Sequence, residues 1–259
     1  MLKGIRLLAV LRSRECGGRY VRILDRRCFV HAASAEACPI AYRYRASDMA
    51  VGADRTTETL LVVGGLYGNL AALKSIEDMA EAESLRGGAV TVVFNGDFNF
   101  FNAHATDFRE INSRILHRNS TRSSTRASLS SPLSAAPAPG RIDFVATAGN
   151  IELASAGGAA GGAGCGCDYP AYVSRDVVRR SDLIVEQLGS VAVGSSRAAG
   201  ADTEMTEILR TLANLPLFMT LKVGAKRVAV IHGDPQMLSG WAFSVESMAP
   251  PDVSVSAPS

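Results

Sequence analysis

Nowhere in this sequence is there an apolar run of the roughly 20 residues that a membrane-spanning helix requires. The run Leu7 to Leu11 is also too short for the core of a secretory signal. Cysteine is scarce and scattered: Cys16, Cys28, Cys38, Cys165 and Cys167 are an odd set without paired spacing. A disulfide framework is therefore excluded, a reducing compartment is indicated, and a cytoplasmic location is expected. Cys165-Gly166-Cys167 has no companion Cys or His pair to complete a four-ligand zinc site, so it reads as a turn packing two small side chains. Charge of one sign is missing too. A net +2 carries no basic face of the kind nucleic-acid binders present, so no nucleic-acid partner and no membrane are expected. Oligomeric state is left open.

One stretch departs from this balance. Residues 1–30 carry Lys3, Arg6, Arg12, Arg14, Arg19, Arg22, Arg26 and Arg27 against only Glu15 and Asp25. A basic, acid-poor start resembles a mitochondrial transit segment, which makes a mitochondrial location the alternative. The competing interpretation is a strand from Ile5 to Leu11, a turn at Gly17–Gly18 and a second strand from Tyr20 to Leu24.

With 47% hydrophobic and 20% charged residues, the 259-residue chain suits one large α/β domain with room for loops. Residues 1–59 are expected as an amino-terminal extension with edge strands, and 60–248 as the main domain. The Ser/Thr/Ala/Pro stretch Asn119 to Pro139 is expected as a disordered insertion. Ala156 to Gly164 is all Gly and Ala, without a fixed shape of its own, and the tail 249–259 is expected to dangle.

Between these stretches, strand and helix signals alternate. Leu60 to Val63, Val90 to Phe94 and Ile142 to Ala146 are short apolar runs of buried-strand character. Asn69 is placed to cap a helix whose face is Leu70, Leu73, Ile76 and Ala80. Asp107 to His117 reads as a helix with Phe108, Ile111 and Ile115 inward, and Asp107 and Glu110 suit its positive start. Ser174 opens a helix with the stripe Val177, Ser181, Ile184 and Leu188. Another helix, near Thr203 to Asn214, groups Met205, Ile208, Leu209 and Leu212. Leu217 to Val223 and Arg227 to Ile231 form a hairpin through Gly224. The fold class is α/β, with central sheet layers flanked by helices.

Ligands of open α/β sheets sit beyond the carboxyl ends of the strands. Those ends carry Gly64-Gly65-Leu66-Tyr67-Gly68-Asn69, Asn95-Gly96-Asp97, Gly149-Asn150-Ile151-Glu152 and His232-Gly233-Asp234. Asp97, Asn150 and His232 are thus expected to gather at one edge of one sheet as candidate metal ligands, and carboxylate, amide and imidazole together suit manganese, iron or zinc. The adjacent glycines are expected to let a phosphate approach closely. Glu152, Asp234 and Asn95 are expected as hydrogen-bonding neighbours of the ligands. Asn69 and Tyr67 are expected to bind the phosphate or to support the ligands, with simple packing the other use for Tyr67. Taken singly, each residue has a plainer explanation: Asp97 and Asn150 as turn residues, His232 as a buried core histidine. A dinucleotide-binding loop at Gly64 to Gly68 fails on its first glycine, which is Val63, and on the missing acid at the end of the next strand.

In their order these segments resemble the calcineurin-like metallophosphoesterases. That family carries Asp-x-His-Gly-Asn, Gly-Asp, Gly-Asn-His-Glu/Asp, a His and Gly-His-x-His. Here Gly65 to Asn69, Gly96-Asp97, Gly149 to Glu152 and His232 correspond to the first four, over a match from about Leu60 to Met248. The strings VVGGLYGNLAAL, FNGDFNFFN, GCGCDYP, HGDP and CPIAYRY mark a divergent branch. The resemblance implies an αββα sandwich, its carboxy-terminal part truncated, since no Gly-His-x-His follows His232. It also implies metal-dependent hydrolysis of a phosphorylated small molecule. The departures are specific: Gly65 stands for the first ligating Asp, Tyr67 for a His and Ile151 for the general-acid His. One divalent ion is then the most the surviving residues can hold, and hydrolysis is expected to be weak or lost. The alternative is a non-catalytic module that binds a phosphorylated ligand or a protein.

Overall fold

The computed structural model describes residues 8–12, 42–117, 140–157, 169–197 and 203–248. The strand expected at Tyr20 to Leu24, the insertion 119–139, residues 158–164, all five cysteines and the tail 249–259 lie outside the described residues.

In chain order the elements begin with β1 (Leu8–Arg12), β2 (Arg55–Thr57) and β3 (Thr59–Val63). Next come α1 (Leu70–Ser84), β4 (Val90–Asn95), α2 (Ala105–Leu116) and β5 (Ile142–Thr147). The short α3 (Asn150–Ser155), the long α4 (Arg175–Arg197) and α5 (Thr203–Ala213) follow. The last are β6 (Phe218–Val223), β7 (Lys226–Ile231) and the single turn α6 (Val245–Met248). They build two small sheets packed with helices, an α/β architecture. One sheet has the order β1-β3-β4-β5 and the other β2-β6-β7.

In the first sheet β3, β4 and β5 run parallel, with Val63 beside Phe94 and Phe94 beside Ala146, while β1 lies antiparallel on β3. Parallel neighbours need long crossovers, and α1 and α2 supply them. These strands are Val/Leu-rich because both faces are covered. Alternation with period 2 sorts the side chains. Leu61, Val63, Val92, Phe94, Phe144 and Ala146 enter the main core with residues of the helices. Leu60 and Val93, with Val62 and Val145, point the other way and meet Met219, Leu221, Val223, Val228 and Val230 of the second sheet. A helix layer, a four-stranded sheet and a three-stranded sheet are thus stacked in that order.

Local chemistry places the helices. Asn69 is the N-cap of α1, its side-chain oxygen accepting the Ala72 N–H at 2.9 Å, a contact of about 1 kcal/mol in typical hosts. Leu73, Ile76 and Ala80 are buried beneath it, as are Phe108, Ile111 and Ile115 on α2. Arg114 of α2 clasps Glu77 of α1 through two contacts, 2.6 and 3.2 Å, and ties the helices at their rim. On α5, Met205, Ile208 and Leu212 are buried, with Leu209 packed beside them.

The stripe expected on α4 needs correction. Val177 is 47% exposed, and the buried positions are Ser181, Val185 and Leu188. The face runs i, i+4, i+7 from Ser181, whose hydroxyl accepts from Tyr169 at 2.8 Å. Val177 lies a turn before that anchor and has no core to meet.

Part of the stretch expected as an extension is built into the fold. β1 and β2 are strands of the two sheets, and Tyr42 is buried with Ala148, Leu153 and Leu238. Backbone bonds Leu238 N–H to Tyr42 O (2.9 Å) and Tyr44 N–H to Gln236 O (3.0 Å) tie this segment to the chain beyond β7. Among the described residues no helix is long and apolar enough to cross a membrane.

Candidate metal centre at the rim of the parallel sheet

Because β3, β4 and β5 are parallel, the loops that follow them open at one rim. β7 reaches the same rim through Asn95. The Asn95 amide nitrogen donates to the Ile231 carbonyl at 2.7 Å, and its oxygen accepts from Thr147 at 2.9 Å. One side chain thereby clamps the ends of β4, β5 and β7. The next residue, Gly96, has φ +70°, and a Cβ there would lie 2.6 Å from both Gly149 Cα and His232 Nδ1. A Cβ on Gly149 would lie 2.6 Å from the Asp97 nitrogen and Oδ1. These two glycines were expected to admit a phosphate. What they admit here is each other's loop, and with it the approach of Asp97 to α3 and His232.

Asp97 itself has φ +53°, a left-handed conformation that Asp tolerates better than most residues. Its backbone N–H donates to Glu152 Oε2 at 2.7 Å. Glu152, fully buried, also accepts from Gly149 N–H at 3.1 Å and Asn99 N–H at 3.2 Å. Held this way, the three side chains expected as ligands converge. His232 Nε2 lies 3.3 Å from Asp97 Oδ1 and 3.2 Å from Asn150 Oδ1.

The protonation pattern follows from the partners. His232 Nδ1 is 2.8 Å from the Asn95 carbonyl, which can only accept, so Nδ1 carries the proton and donates it. In the neutral ring the Nε2 lone pair then faces two oxygens. Asp97 Oδ1 is buried and accepts no well-formed hydrogen bond. Three lone pairs around one point call for a positive charge. Burial by itself disfavours an imidazolium, but the charge of Asp97, the Asn95 carbonyl and the charge of Glu152 outweigh it and push His232 up to about 9. Burial and the neighbouring Asp97 charge push Glu152 up to about 7, against the pull of its N–H donors and of His232.

A divalent ion meets the same need with more charge. Two ligands bound at about 2.1 Å with angles between octahedral and tetrahedral lie roughly 3.0–3.4 Å apart. The two contacts that His232 Nε2 makes, 3.2 and 3.3 Å, fall within that spacing. The donor set is lean: among the described residues no three His, Cys, Asp or Glu side chains gather as a metal cluster, and the third donor is an amide.

The chain matches no family model, no curated protein and no solved structure.

The other expected site residues take distinct places. Asn95 and Glu152 are neighbours that orient Asp97 and His232. Asn69 is exposed, and its side-chain oxygen serves the α1 cap. Asp234 turns back on its own loop, accepting Gln236 N–H (2.8 Å) and Met237 N–H (3.0 Å), and its carbonyl takes the Tyr44 hydroxyl at 2.7 Å. Its carboxylate therefore braces the chain after His232. Tyr67 has φ +55°, and its ring covers Gly65: a Cβ at 65 would lie 2.3 Å from Tyr67 Cζ. Ile151 is buried in the main core.

Sequence reasoning missed Asn99, Asn102 and Asn112. Asn99 and Asn112 exchange amide hydrogen bonds at 3.2 and 3.0 Å, and Asn102 donates to Asn99 Oδ1 at 2.8 Å. All three are buried, and Asn99 holds the second oxygen of Glu152. The available signal was the repetition of Asn among aromatics in Asn95 to Asn102.

Proposed function

We propose that this chain is a divergent calcineurin-like metallophosphoesterase homologue of the αββα class, with a reduced centre in which Asp97, Asn150 and His232 hold one manganese, iron or zinc ion. The observation that carries the proposal is the His232 Nε2 atom, 3.3 Å from Asp97 Oδ1 and 3.2 Å from Asn150 Oδ1, with Nδ1 tied to the Asn95 carbonyl. A bound ion supplies Lewis-acid charge to a phosphoryl oxygen. The side chains of Asp97 and His232 are 19% and 16% accessible, and the ester is proposed to approach from that side.

Hydrolysis at this centre is weak. No carboxylate arises from position 65, where the Tyr67 ring occupies the space, and Ile151 provides no proton donor. A missing general acid costs roughly 10²–10⁴ in rate for a poor leaving group. The substrate class that remains is an activated ester or diester, whose leaving group needs no proton. Turnover of bis-p-nitrophenyl phosphate with added manganese is expected, slow and abolished in Asp97→Ala. Turnover that is absent, or unchanged in that variant, refutes the hydrolase.

The Tyr67 ring over Gly65 also favours a second interpretation, a binding module on the same fold that keeps a phosphorylated ligand without cleaving it. Metal-dependent binding of a phosphate ester with no turnover distinguishes it.

A further inference from the structure

Beside the candidate centre lies an aromatic surface whose inner ring, Phe100, packs against the main core and whose outer ring, Phe101, stands in solvent. Tyr67, Phe100 and Phe101 pack on one another, with ring centroids 6.1 Å apart for Tyr67–Phe100, 5.9 Å for Tyr67–Phe101 and 4.6 Å for Phe100–Phe101. Phe101 is 57% exposed, while Tyr67 and Phe100 are half-buried. A large ring held in solvent costs hydrophobic free energy, and contiguous exposed aromatics beside a polar site mark ligand surfaces.

The backbone holds these rings in place at the rim. Tyr67 N–H donates to the Asp97 carbonyl at 3.1 Å and Gly68 N–H to the Phe98 carbonyl at 2.9 Å, so the loop after β3 is stitched to the loop that carries Asp97. Gly68, at φ +73°, lies against Asn102, where a Cβ would meet Oδ1 at 2.9 Å. Tyr67 adopts a left-handed conformation, rare for a bulky residue. That strain is retained where the surroundings fix it, and it sets the ring over Gly65 rather than into the core.

We infer that the Tyr67–Phe100–Phe101 surface receives a planar aromatic group of the phosphate ester whose phosphate sits at Asp97, Asn150 and His232. This rests on the proposed function and specifies its substrate class: an aryl or nucleobase-bearing phosphate in place of a sugar or alkyl phosphate. A ring suits the surface because stacking needs only a π-face. The adjacent Asp97–His232 pair supplies the polar end that a purely apolar ligand would leave unused.

Calorimetric titration of the full chain with manganese present tests this, using two matched pairs of probes. Phenyl phosphate is compared with methyl phosphate, and adenosine 5′-monophosphate with ribose 5-phosphate. In at least one pair the ring-bearing member is expected to bind about tenfold tighter, toward the low end of what stacking supplies. The pair that responds names the source of the ring. Phe101→Ala should bring that ratio close to one, and Phe101→Tyr should keep it. Equal affinities within both pairs, or a ratio that survives Phe101→Ala, overturn the inference while the metal centre stands. Failure of manganese and of all four phosphates to bind overturns both.

Discussion

Removing the Asn95 side chain should open the rim at a calculable cost. Asn95 donates to the Ile231 carbonyl at 2.7 Å and accepts from Thr147 at 2.9 Å. In Asn95→Ala the Ile231 carbonyl loses its side-chain donor, and buried Thr147 keeps only a long contact of 3.5 Å to the Phe94 carbonyl. A neutral hydrogen bond contributes about 1 kcal/mol and an unsatisfied buried partner costs about 1–3 kcal/mol, so the expected loss is about 2–4 kcal/mol. Asn95→Asp conserves shape but sets a carboxylate oxygen against the Ile231 carbonyl and adds charge beside Asp97 and Glu152. It should lose at least as much. Urea unfolding of both variants, with the slope checked for constancy, measures these losses. Manganese affinity should also fall, about 10–100-fold, because His232 hangs from the same clamp. If Asn95→Asp unfolds within 0.5 kcal/mol of the parent, as roughly expected of a surface position, the side chain is no clamp and the reasoning fails.

Gly149→Ala sets a methyl 2.6 Å from Asp97 Oδ1 and is expected to destabilise by about 1–3 kcal/mol and to remove metal binding, both measurable in one titration series. Gly65→Asp alone collides with the Tyr67 ring and should destabilise, whereas Gly65→Asp with Tyr67→His should recover stability and raise the metal-to-protein ratio above that of the parent by plasma emission analysis. In metal-free protein, raised pKa values mean that the stabilisation from His232 is complete below its unfolded value near 6.5 and disappears as pH rises through about 9. Glu152, raised to about 7, acts in the same sense at lower pH. Stability should therefore fall by about 2 kcal/mol between pH 7 and 9, and His232→Gln should flatten that slope in denaturant midpoints.

Much of the architecture was legible because period and punctuation agree along this chain. Leu60–Val63, Val90–Phe94 and Ile142–Ala146 are short apolar runs, and each is a strand of the first sheet within a residue or two. Asn69 announces α1 by the hydrogen bond its side chain makes. The meeting of Asp97 and Asn150 was legible because the parallel strands β4 and β5 bring their ends to one rim, whereas His232 follows β7 of the other sheet and reaches that rim through Asn95. What sequence could not supply was direction. Val177 fits the α4 stripe by spacing, yet it lies beyond the surface the helix packs on. Asp234 looks like a partner of His232, but two N–H groups of its own loop hold it. The site glycines are explained by how closely Gly96 and Gly149 approach in space, at a separation of 53 positions along the chain. Asn99 supports Glu152 from 53 positions away and is itself held by Asn112, a pairing at which the repetition of Asn in Asn95 to Asn102 only hints.

The central claim is that one divalent ion joins Asp97, Asn150 and His232. Titration of metal-free protein with manganese, followed by calorimetry, tests it most directly. One ion per chain is expected in the parent, with affinity lost in Asp97→Ala and in His232→Ala. Absence of binding in the parent, or equal binding in both variants, would contradict it.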